Sequence, residues 1–181
     1  MTQPTSTPSS ARAPESSSPA KLLYSDLEIE LDVTRRFLER YPDGKGDWMP
    51  HEKSMKLGRL ATHVADIPRY GKMLLETDEM DFATNRPPLT PVDSAQELLA
   101  IFDARAAETR ATLAATDYAS LERPWTMRNG EQVILSAPKG ALVRRMMINH
   151  LVHHRAQLGV YYRLLGVPVP GSYGPSADEP I

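Results

Sequence analysis

Cysteine is absent from all 181 residues. That absence excludes disulfides, thiolate zinc sites and cysteine nucleophiles, and it leaves any metal to nitrogen and oxygen ligands. Nowhere do ~18 or more apolar residues run together, so no transmembrane helix is predicted. The amino terminus lacks the apolar stretch of a secretory signal, and the cytoplasm is the expected location. Charge of one sign is lacking too. The 21 basic and 23 acidic residues nearly cancel to a formal −2, with no basic block among them. Nothing here forms an electrostatic footprint for nucleic acid or an anionic membrane, so neither is an expected partner.

What is present is a chain long enough for one domain with a sizeable core and short for two. Residues 1–20 are Ser, Thr and Pro with almost nothing apolar. Such a segment buries too little surface to offset its ordering entropy, which predicts a disordered tail ahead of a single domain over 21–181. The 16 prolines fall at the ends of periodic segments and between them, where they punctuate.

Leu23, Leu27, Leu31, Leu38 and Tyr41 recur at helical spacing until Pro42-Asp43-Gly44 turns the chain. Ser54 is placed to cap a second helix carrying Leu57, Leu60, Val64 and Ile67, which Pro68 should kink or restart before Leu74 and Leu75. Asp93 or Ser94 can cap a third, with Leu98, Ile101, Phe102, Arg105 and Leu113, running to about Thr116. Around Asn129-Gly130, the segments 125–127 and 132–135 suggest a small hairpin. Pro138 suits the start of a fourth, long helix that ends at Leu165 before Gly166. The proline-rich end, with Val167, Val169 and Tyr173, is expected to pack along the helices. Four long amphipathic helices with little strand predict an all-α four-helix bundle.

Of the five histidines, three lie within the run Asn149-His150-Leu151-Val152-His153-His154. Positions four apart share a helix face, so His150 and His154 project side by side, as when one helix gives two imidazoles to one metal. Upstream that face holds Val143 and Met146 or Met147, and downstream Leu158, Tyr161 and Leu165, so it should face the interior. Imidazoles in a core are costly unless their nitrogens are satisfied, and a metal does this well. His153 is turned away by ~100° and belongs at the surface or an interface. His63, among Leu60, Val64 and Ile67, sits on or beside the apolar stripe of the second helix. Metal sites in bundles are built from inward side chains of facing helices. His63, His150 and His154 would make a three-nitrogen site with a vacant position, and a vacancy marks a reactive metal centre. Core packing for His63 and a surface location for the pair are the competing readings.

The string from His150 to Leu158, followed by Tyr161-Tyr162-Arg163-Leu164-Leu165-Gly166-Val167-Pro168, resembles the DinB/YfiT-like superfamily of metal-dependent proteins, the damage-inducible DinB family. The match extends to 51–55, to 57–63 ending in His63, to Pro124-Trp125, and to the tail 173–179. It covers nearly everything after residue 20. The resemblance implies an up-down-down-up bundle, often a homodimer, with a three-histidine site for zinc, nickel or another divalent ion. The family's second-helix histidine falls on His63, and the outer histidines of its H-x-x-x-H-R motif fall on His150 and His154. Members of known activity are mainly thiol transferases or isomerases that use a low-molecular-weight thiol such as bacillithiol or mycothiol. A small-molecule substrate and such a thiol are therefore the implied partners. Hydrolysis of an amide or ester, or a non-enzymatic binding or stress-response role, are the alternatives.

Other residues near these motifs carry two readings each. Gln157 and Tyr161 could orient a ligand, although internally satisfied core groups are favoured. Arg155 points away from the last ligand and suits an ion pair that holds its helix; Asn149 is equally open. Glu52, beside His51, would be the nearest general base if its loop folded over the site, but a solvated loop is favoured. Trp48 and Trp125 are expected to pack, while Asp178 and Glu179 could return to the helices.

Overall fold

A computed structural model of the chain describes residues 24–85 and 88–179. The expected amino-terminal tail, with Leu23 at the start of the first stripe, lies outside the described residues. Helix α1 (Leu27–Glu39) buries Leu27, Leu31, Phe37 and Leu38, and the chain then turns through Gly44 at φ +77°. Helix α2 spans Leu57–Asp66 and α3 spans Arg69–Glu76. The break falls at Ile67-Pro68, where proline removes the backbone donor that a continuous helix needs. The Pro68 carbonyl accepts from the Gly71 N–H at 3.0 Å and from the Thr109 hydroxyl at 2.5 Å. The second helix starts with Lys56 as its cap residue, two positions beyond Ser54.

Helix α4 (Ala95–Ala115) follows Ser94, whose side chain makes no capping bond. Its first orphan donor, the Ala95 N–H, is taken by Asp43 Oδ1 at 2.7 Å, from the turn after α1. Asp93, the other expected cap, accepts from the Tyr41 hydroxyl at 2.7 Å and from the Gly46 N–H at 2.9 Å. These two carboxylates tie the first loop to the start of α4. A short α5 (Tyr118–Glu122) then leads into the strands.

The expectation of an all-α fold is corrected: the protein is mostly helical with a small three-stranded sheet. β1 (Glu79–Asp81) pairs parallel to β2 (Pro124–Asn129), which pairs antiparallel to β3 (Gln132–Pro138). The hairpin is the one marked by Asn129-Gly130, with Gly130 at φ +59°. β1 joins it only because the chain after α3 passes alongside. A register shift between Met127 and Arg128 bends β2 locally.

The last helical run has three parts: α6 (Lys139–Leu142), a π-helical segment (Val143–Asn149), and α7 (His150–Leu164). Gly166 at φ +72° ends it. Helices α1 and α2 pack on both α4 and α7, while α3 packs on α4 and the π segment. The core between them holds Leu38, Leu60, Val64, Leu98, Phe102, Met147, Leu151 and Tyr162. Gly71 lets α3 approach closely, since a Cβ there would stand 2.5 Å from Thr109 Cγ2 and 2.7 Å from Met147 Sδ.

The tail packs as expected. Asp178 pairs with Arg163, and Glu179 lies 3.5 Å from Arg36 and 3.3 Å from Arg40. Tyr173 reaches a buried pair in which Arg155 Nη1 and Glu30 Oε2 stand 2.7 Å apart. Its hydroxyl donates to Glu30 Oε1 at 2.8 Å and accepts from Arg155 Nη2 at 2.8 Å. Among the described residues no helix is long and apolar enough to cross a membrane.

Candidate metal centre

α2 and the π–α7 junction bring His63, His150 and His154 together. Ring centroids lie 4.9 Å apart for His63 and His150, 4.6 Å for His63 and His154, and 4.6 Å for His150 and His154. The Nε2 atoms converge: 3.2 Å separates His63 from His150, and 2.9 Å separates His150 from His154. All three rings are half-buried, and among the described residues no carboxylate joins the cluster.

The outer nitrogens decide what those contacts are. His150 Nδ1 lies 3.3 Å from the Met146 carbonyl, and His154 Nδ1 lies 2.7 Å from Gln157 Oε1. Both partners are oxygens that only accept, so each Nδ1 carries the ring proton and each Nε2 presents a lone pair. His63 can give one N–H to His150 Nε2. His150 then has nothing left to accept with, and His154 has no proton to offer it. The 2.9 Å contact is therefore lone pair against lone pair, unless a cation lies between. Tetrahedral nitrogen ligands held 2.0–2.1 Å from an ion stand ~3.3 Å apart, a fraction of an ångström wider than these contacts, which a small ring rotation supplies.

Electrostatics push the same way. Burial above all, followed by the neighbouring His154 and His150, holds the pKa of His63 down to about 4. Burial is also the leading cause that lowers His150 and His154, against which the Gln157 hydrogen bond raises His154 somewhat. Neutral imidazoles at physiological pH are the state a metal requires.

The π segment sets what surrounds the site. Its wider turn carries Arg145, Met146 and Asn149 to one wall of a cavity of about 420 Å³ that His150 also lines. Met80 of β1, Phe82 just after it and Met127 of β2 form the opposite wall, with Tyr70 of α3 completing it. The Tyr70 ring lies 5.9 Å from that of His150. Sheet residues and His150 thus line one cavity.

The remaining expectations divide. Gln157 touches His154 and so belongs to the site. Tyr161 packs edge-on to Trp48 at 5.5 Å and donates to the Met55 carbonyl at 3.1 Å, a core role. Arg155 is in the Glu30 pair, away from the cluster. His153 is exposed. His51 and Glu52 lie in an exposed loop where His51 Nδ1 accepts the Lys53 N–H at 3.1 Å, so no base covers the histidines from there. Trp125 is fully buried. Sequence reasoning missed Tyr70, Phe82, Arg145 and the three methionines. Only the helical pattern around Met146 hinted at any of them.

A sequence profile of the DinB family matches residues 16–180. The uncharacterised protein YrdA of Bacillus subtilis (strain 168) is 28% identical over 158 residues, covering 84% of this chain and 86% of that protein. The solved structure of a DinB-like protein from Bacillus cereus superposes with a TM-score of 0.66 at 18% identity, covering 83% of this chain and 95% of the other. That of the DinB-like protein YjoA from Bacillus subtilis gives 0.61 at 22% identity, covering 80% and 92%.

Proposed function

This chain belongs to the DinB family, and from that premise we propose that it is a metal-dependent enzyme whose divalent ion is held by His63, His150 and His154. One observation carries the proposal: the 2.9 Å approach of two Nε2 atoms whose rings have committed their protons elsewhere. Three imidazoles suit zinc or nickel among divalent ions. With three protein ligands a position stays vacant for a substrate.

The reaction that fits best is transfer to or from a low-molecular-weight thiol. An ion at this site supplies Lewis acidity that favours the thiolate over the thiol. The chain's own residues do the rest. Met146 and Gln157 fix the ring tautomers, Tyr70 and the sheet line a cavity beside His150 that can admit a substrate, and the absence of cysteine leaves the thiol to a cosubstrate. The same proposal takes the four long helical runs as an up-down-down-up bundle. The packing of α1 and α2 on both α4 and α7 supports that arrangement.

Cobalt-loaded protein tests the reaction class. Adding bacillithiol or a close analogue should introduce sulfur-to-cobalt charge-transfer absorption and leave the ion bound. A spectrum indifferent to thiols, together with turnover of activated esters, would replace thiol transfer with hydrolysis.

A further inference from the structure

The cavity next to His150 has a chemistry of its own. Met80, Phe82, Met127 and Met146 give it a broad apolar surface, and 420 Å³ lies within the range of small-molecule sites. Methionine is polarisable and unbranched, so three of them shape themselves to flat or branched apolar bodies. The polar groups are few and sit on one wall. Arg145 and Asn149 are exposed, four positions apart in the π segment. Among the described residues Arg145 forms no ion pair and Asn149 no side-chain hydrogen bond.

The contrast with nearby cations is informative. Arg69 is held by Asp66 at 2.9 Å, and Arg128 by Glu79 at 2.7 Å. Arg144, next in sequence, pairs with Asp26. Asp81, the carboxylate closest along the chain to Met80 and Phe82, accepts from the Gly130 and Ala83 N–H groups, each at 2.9 Å. Arg145 alone among these presents an uncommitted guanidinium to the cavity, with an amide beside it. A guanidinium with a neighbouring amide donor recognises a carboxylate or sulfonate by forked hydrogen bonds.

We propose that this cavity binds a small molecule with an aromatic or branched apolar body and one carboxylate-type anionic group, the body against Met80, Phe82 and Met127 and the anion on Arg145 and Asn149. Its position against His150 makes this ligand the second substrate of the transfer, and that assignment rests on the proposed function. The binding itself does not.

The test is calorimetric titration of metal-free protein with 1-naphthylacetate and with its neutral counterpart 2-(1-naphthyl)ethanol. The anion should bind at least ~10-fold more tightly, a preference of about 1.4 kcal/mol. Arg145→Ala should bring the two probes together, and Arg145→Glu should reverse their order. Arg59→Ala, changing an exposed cation outside the cavity, should leave the preference intact. Met127→Trp, which fills the cavity, should weaken both probes. Equal affinity of the two probes for the wild type, or an anion preference that survives Arg145→Ala, overturns the proposal. Repeating the titration on metal-loaded protein separates the two readings. Loss of the Arg145-dependent preference with metal still bound sinks the ligand assignment alone. Arg145-dependent binding in a protein that takes up no metal sinks the metal reading and leaves the cavity assignment standing.

Discussion

Acidification of the metal-free protein offers a sharp test of how the three imidazoles are buried. His63 titrates near 6.5 in an unfolded chain and is held down to about 4 in the fold. Between those values the unfolded state binds the proton and the folded state does not. Stability is therefore fully present above pH 6.5, falls as pH drops towards 4, and is flat with respect to this ring below that. A shift of that size corresponds to ~3 kcal/mol at ~1.4 kcal/mol per tenfold change in proton affinity. The ring is only half-buried, and solvent screening brings the figure to ~2 kcal/mol. With a urea dependence of ~2 kcal/mol per molar, the unfolding midpoint should fall by ~1 M between pH 7 and pH 4.5. Carboxylates do not confuse this window. Arg144 holds Asp26 below its usual range, Lys139 and Arg163 do the same for Asp78 and Asp178, and these groups give up stability only at lower pH. His63→Gln removes the titrating ring and should shrink the drop by about half or more, leaving the part due to His150 and His154. A midpoint that stays constant over the window, or one that falls equally in His63→Gln, would refute the reasoning.

Other outcomes follow from named contacts. Gln157→Leu removes the acceptor that fixes the His154 tautomer and should lower metal affinity ~10–100-fold without changing the stoichiometry at saturation, measured by competition with a chelating dye. Arg155→Met strands the buried Glu30 carboxylate, and urea unfolding should register a loss of ~3 kcal/mol. Tyr173→Phe removes one hydroxyl from that network and should cost only ~1 kcal/mol by the same measurement.

How much of this was visible in the sequence depends on the range of the cause. The pairing of His150 with His154 is set by helix periodicity within five residues. The inward placement of His63 follows from the stripe around it, and the break at Pro68 from one missing donor. Asn129-Gly130 likewise announced its hairpin. Where a long-range partner decides, the local pattern was silent. Glu79-Met80-Asp81 is too short and too poor in β-branched residues to announce a strand, and pairs because β2 lies beside it. Ser94 is the cap residue of α4, as expected, but the Ala95 N–H is taken by Asp43, 52 positions away in the chain, and the cap position of α2 falls on Lys56 rather than Ser54. The π segment has an ordinary amphipathic sequence, yet its wide turn against Gly71 of α3 helps decide which residues meet the cavity. The three-histidine cluster was therefore legible, while the rest of the cavity lining was not.

Elemental analysis of purified, dialysed protein tests the central claim most directly. The wild type should carry one divalent ion per chain, and His153→Ala should carry the same. His63→Ala, His150→Ala and His154→Ala should each carry almost none. Full metal occupancy in folded His154→Ala protein, or a metal-free wild type that takes up no zinc or nickel when offered it, would contradict the account.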